Sequence, residues 1–204
     1  MSSKPLRILL REFGLWDTIR ILLAVRRRRR AGEPFAHLAP PDSERDAKSR
    51  AQIAPAILLY RSLPRDAFRI TAEIVEAAAQ DFLHRSLGRL RRIDERWARK
   101  AGDGFFNATI EWRKIASDEV RFDVVACRFP PLCRAAGVPE LAPVFCRGDA
   151  GFFRRQGLDL RRTMTIADGA SLCDFRIAAG ERDRPVPSAI PPDAPRPTRS
   201  EPNP

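Results

Sequence analysis

Four cysteines, Cys127, Cys133, Cys146 and Cys173, hold most of the nucleophilic chemistry in this chain. Cys127 closes a predicted strand beside a break forced by Pro130 and Pro131. Cys146 falls on a predicted helix three residues before Asp149, a spacing that aims both side chains the same way. Cys173 lies in the last predicted strand and shares a face with Phe175 and Ile177. Three thiols from three elements can therefore converge. A thiolate near Arg128 or Arg147 would have a lowered pKa and be nucleophilic. A cluster of thiolates could instead hold a soft metal such as zinc. The spacings contain no C-x-x-C pair, so the metal reading is the weaker one and no cofactor is expected. The bland alternative is that a cysteine is a small buried apolar residue. That applies equally well to Cys173, and Cys133 is read as structural.

Other chemistries lack a signature. His37 sits in a proline-rich loop and His84 ends a helix beside Arg85, and neither has a motif around it. There is no G-x-S-x-G, no Walker loop and no G-x-G-x-x-G, so a serine triad and nucleotide-cofactor chemistry are unsupported. The net charge is +11, and it is uneven. Residues 1–100 carry 22 Lys and Arg against 12 Asp and Glu, whereas residues 101–204 carry 15 against 14. A basic half supplies the electrostatic part of nucleic-acid binding but lacks the interleaved aromatics that stack on bases, so specific nucleic-acid recognition is not expected. The chain opens on no secretory leader, and free thiols then point to a reducing, cytoplasmic setting. No stretch is long and apolar enough to span a membrane as a helix.

The elements that must position these residues fall into two periods. Leu6 to Arg30 reads as one basic amphipathic helix, ending in Arg26–Arg30 and stopped by Gly32 and Pro34. Residues 6–30 fit either peripheral contact with an anionic membrane or packing on the chain's own domain, and packing is the preferred reading. Ser43 with Asp46 starts a second helix to about Leu63, with a kink expected at Pro55. A third runs from Asp66 to about Arg85, and its pattern continues through Trp97 to Lys100. The period then changes. Phe106 to Trp112 looks like a strand. Val120, Phe122, Val124 and Ala126 alternate with Arg121, Asp123, Val125 and Cys127. Pro139 fits the first turn of a helix to about Arg154. Leu160 to Ala167 and Ser171 to Ala178 read as strands joined at Asp168-Gly169, a hairpin signal. The order predicts an α+β fold, an N-terminal helical half followed by a small antiparallel sheet with a crossing helix. Residues 43–178 would form the single domain. In residues 180–204, eight positions are Pro, and that segment is read as a disordered tail.

The run from Cys127 to Phe175 resembles the L-2-amino-thiazoline-4-carboxylic acid hydrolase family. The resemblance is carried by Cys127, by Val138-Pro139-Glu140-Leu141, by Phe145-Cys146-Arg147-Gly148-Asp149, by Thr165 to Gly169 and by Cys173-Asp174-Phe175. The segments Tyr60 to Leu63 and Phe82 to Ser86 are similar in style. The resemblance implies hydrolysis of a carbon–nitrogen bond in a small cyclic amidine, opening the 2-aminothiazoline ring toward a carbamoyl-cysteine. It implies Cys127, Cys146 and Cys173 as nucleophile or ligands and Asp149 as base or orienter. Glu140 and Asp174 are second choices, and Arg128 or Arg147 would bind the substrate carboxylate. The alternative is a non-catalytic module that binds a small ligand or metal in a thiol-lined pocket. The partner expected is a small molecule, and the oligomeric state is open.

Overall fold

A computed structural model describes residues 3–64, 66–88, 95–116 and 119–179 of the chain. The expected disordered tail over 180–204 lies outside the described residues. The fold is α+β, with helices first and the sheet after them. Helices α1 (Ser3–Arg30), α2 (Glu44–Ser62), α3 (Phe68–Leu87) and α4 (Glu95–Gly104) precede strands β1 (Ala108–Ile115) and β2 (Glu119–Cys127). Helices α5 (Phe129–Ala135) and α6 (Ala142–Arg155) follow, then β3 (Leu158–Arg161) and β4 (Cys173–Ala179). All strand pairs are antiparallel, in the order β1-β2-β4-β3.

Several boundaries differ from the sequence expectation for identifiable reasons. Helix α1 is not one uninterrupted rod. Gly14 adopts φ 70° and ψ −177° and breaks it, a conformation that glycine enters without Cβ strain. Helix α2 starts as expected, with the Ser43 hydroxyl accepting from the Asp46 N–H at 3.1 Å, and it runs on through Pro55. The apolar period from α3 toward Lys100 is interrupted, because Gly88 ends α3 and α4 begins at Glu95. Pro130 and Pro131 both end β2 and occupy the first turn of α5, where a missing N–H costs nothing. Pro139 opens a short 3-10 turn that leads into α6 rather than α6 itself. The strand expected over Leu160–Ala167 is only β3. Its link to β4 is not a two-residue hairpin, because Asp168 closes a 3-10 turn capped by Gly169.

Three clusters of buried side chains hold these elements. Phe122, Phe152, Phe153, Phe175 and Ile177 fill the space between the sheet and α6, with Trp97 from α4. Ile53, Ile57, Leu141 and Val144 join α2 to the loop and helices after β2. Ile8, Leu9 and Ile21 of α1 pack on Leu59, Leu63 and Ile74. Cys127 packs against both of the first two clusters, so it marks their junction.

Helices α3 and α6 approach each other tightly at Gly148. A Cβ built on Gly148 would collide with the Cβ of Ala79, which has no rotamer by which to retreat. Gly148→Ala is therefore expected to lower stability by about 1–3 kcal/mol, the usual penalty of overpacking. The measurement is a urea unfolding midpoint, and an unchanged midpoint would contradict this packing.

Candidate active site

The site forms where β2, β4 and α6 meet, and a bulge in β2 is what makes it possible. Thr109 pairs with Ala126, but Ile110 pairs with Val124, so Val125 is an extra residue on β2. Strict alternation puts Cys127 on the face of Arg121 and Asp123. The bulge reverses that. Ala126 turns outward, and Cys127 turns to the core face that holds Val124 and Cys173. Val124 and Cys173 are direct partners across β2 and β4.

Cys127 and Cys173 pack in the same core cluster, between the sheet and α6, which carries Cys146. Asp149 shares their neighbourhood, and its charge acts on each of the three thiols. The carboxylate is held by Arg162, whose Nη1 donates to Oδ2 at 2.9 Å while Nη2 donates to the Cys146 carbonyl at 2.9 Å. The same guanidinium lies over the Phe175 ring, 4.9 Å from its centroid, and that ring stacks on Phe122 at 4.6 Å. Arg162 is thereby fixed by a carboxylate, a carbonyl and an aromatic face. Asn107, just before β1, donates from Nδ2 to Cys127 Sγ at 3.5 Å. The Ile166 N–H donates to Cys173 Sγ at 3.2 Å.

Burial pushes the Cys127, Cys146 and Cys173 thiols up, so all three are protonated at neutral pH. For Cys127 this is partly offset by the Phe129 N–H and the Asn107 amide. Cys133 is fully buried and pushed up to about 12 by burial, which suits the structural reading. Burial also raises the Asp149 carboxyl, and the Arg162 charge and hydrogen bond counter part of that rise.

The other residues singled out from sequence have different surroundings. Glu140 accepts from Tyr60 Oη at 2.8 Å. Asp174 points to the sheet's other face, where it accepts from the N–H groups of Thr163 and Met164 at 2.9 and 2.6 Å and from the Thr163 hydroxyl at 2.9 Å. Burial works against the Asp174 charge, but these donors outweigh it and hold the carboxyl below its usual range. It fastens the β3–β4 link. Arg147 leaves the thiols and pairs with Glu76 of α3 at 2.6 Å. Arg128 follows Cys127 directly and keeps only long pairs, to Asp42 at 3.7 Å and Asp46 at 3.8 Å. His37 donates from Nε2 to the Ala135 carbonyl at 3.0 Å. Among the described residues, no three of His, Cys, Asp and Glu are placed to hold a metal ion.

Arg162 and Asn107 were not singled out from sequence. Arg162 lies in an irregular link with no period, and Asn107 lies in a turn before a strand, so neither position carries a local signal.

Fold and site together define an α+β protein in which Arg162 ties Asp149 and the Cys146 carbonyl together at the seam between its helical layer and its sheet. The model of the L-2-amino-thiazoline-4-carboxylic acid hydrolase family matches residues 46–177, which run from α2 into β4, and the chain belongs to that family. No curated protein and no solved structure matches it.

Proposed function

We propose that this protein hydrolyses a carbon–nitrogen bond in a small cyclic amidine of the 2-aminothiazoline-4-carboxylate type. The observation that supports this reading is the Asp149–Arg162 pair, largely shielded from solvent and tied to the Cys146 carbonyl, in a chain of the hydrolase family. Cys127 is the nucleophile, because it is partly exposed and has an amide donor at its sulfur. Asp149 takes the Cys127 proton, and the thiolate adds to the ring carbon that bears two nitrogens and a sulfur. The ring carbon–nitrogen bond then breaks, and the departing nitrogen takes a proton. Water adds to the same carbon and expels the Cys127 thiol, leaving a carbamoyl-cysteine with a free amine. Arg128, adjacent to the nucleophile and loosely paired, binds the substrate carboxylate. Cys146 and Cys173 line the site, and Arg162 holds Asp149 in place.

The test is incubation of purified protein with 2-aminothiazoline-4-carboxylate and related cyclic amidines, alongside Cys127→Ala and Cys146→Ala. Carbon–nitrogen cleavage predicts a new amine without a new thiol. The Cys127→Ala variant is expected to lose turnover, and Cys146→Ala to retain part of it. Unchanged turnover in both variants would remove the assigned role of the thiols. Failure of the wild-type protein to turn over any of these compounds, combined with measurable binding of one, would favour the non-catalytic module.

A further inference from the structure

We infer that the outer face of α1 beyond Gly14 docks on an anionic phospholipid surface, with the helix lying in the plane of the interface.

The second half of α1 buries one side and leaves another bare. Thr18 and Ile21 are buried, whereas Leu15, Ile19, Leu22 and Leu23 are exposed, Leu23 at 61%, and Trp16 is 75% exposed. At about 100° per residue, these five apolar residues fall within one arc of about 120°. The arc continues toward the C-terminus through Arg26 and Arg30, with Arg27 and Arg29 on its two edges. No carboxylate among the described residues pairs with any of these four arginines, in contrast to Arg20 with Asp17 and Arg28 with Glu33. Residues 1–30 hold nine Lys and Arg against two acidic residues. An apolar stripe with an exposed tryptophan, ending in unpaired cations, matches the acyl boundary and the phosphates of an anionic membrane.

The charge decides between occupants. A second copy on this stripe would bring two strongly cationic segments together. A lipid surface supplies the missing anions. The helix is also already anchored. Leu9 and Ile21 pack on Leu59 and Ile74, and Arg11 holds Glu73 at 3.0 Å. The stripe can therefore reach lipid without opening the core. No helix among the described residues is long and apolar enough to cross a membrane, which leaves an interfacial position for this one. Helix α1 lies outside the segment that the family model matches, so this surface is independent of the proposed chemistry.

The experiment is co-sedimentation of the full chain with vesicles of phosphatidylcholine alone and of phosphatidylcholine mixed equally with phosphatidylglycerol. Binding is expected only to the mixed vesicles and is expected to weaken with added salt. Replacing Arg26, Arg27, Arg29 and Arg30 with Gln is expected to reduce binding on the order of a hundredfold. Trp16→Ala with Leu23→Ala is expected to reduce it about tenfold or more. Brominated acyl chains are expected to quench the wild-type fluorescence but not that of Trp16→Phe, a readout that needs no destabilised variant. Equal binding to both vesicles, absence of binding, or a concentration-dependent dimer broken by Leu23→Glu would each overturn the inference.

Discussion

Asp149→Asn is expected to lower turnover of 2-aminothiazoline-4-carboxylate by about 10²–10⁴-fold, the range typical of losing a positioned base. The substitution is isosteric and keeps an oxygen for Arg162, so the site geometry should survive. What disappears is the carboxylate proposed to accept the proton of a thiol that burial holds protonated. The pH profile tells this apart from a structural effect. In the wild type, kcat/KM should rise with pH as Asp149 loses its proton, with the limb displaced above the ordinary carboxylate range. In the variant that limb should vanish. Full activity with a retained limb would place the base elsewhere.

Arg162→Met is expected to destabilise the fold by about 3–5 kcal/mol, because it leaves a buried carboxylate without its partner. The loss should depend on pH. The folded-state pKa of Asp149 is raised above the ordinary aspartate value of 3.8, so the stability linked to this group is fully present below that value and is lost as pH rises through the folded pKa. Arg162 limits the loss by favouring the charged form. Without it the folded pKa climbs further, and the loss extends to higher pH. The gap between variant and wild type should therefore be wider at about pH 8 than at about pH 5, measured by urea unfolding. A gap independent of pH would mean that the guanidinium acts mainly by packing on Phe175.

The sequence carried the fold class because period is a local property. The shift from steps of three and four to steps of two falls close to the start of β1. Asp149 was legible for the same reason, since its spacing from Cys146 is helical. Arg147 drew attention by adjacency to Cys146, yet one helical step swings it about 100° away, onto Glu76. Arg162 carries no local signal because its contacts are tertiary and cross an irregular link. The bare face of α1 was illegible for another reason. Its apolar residues lie on more than one side, and only packing shows which side the core takes.

The bulge at Val125 has a consequence for how this site can change over time. The side to which Cys127 turns is set by the looping-out of one residue from the ladder and not by any side chain at the bulge itself. Substitutions at Val125 that leave Ala126 opposite Thr109 keep the sulfur where it is. Removal of Val125 would leave the same partners in regular register with Cys127 still on the core face, whereas straightening β2 with Val125 kept in the ladder would turn Cys127 toward the face of Asp123. For this strand, the inherited quantity is the pairing register with β1, and a one-residue deletion at the bulge is a change the site can absorb.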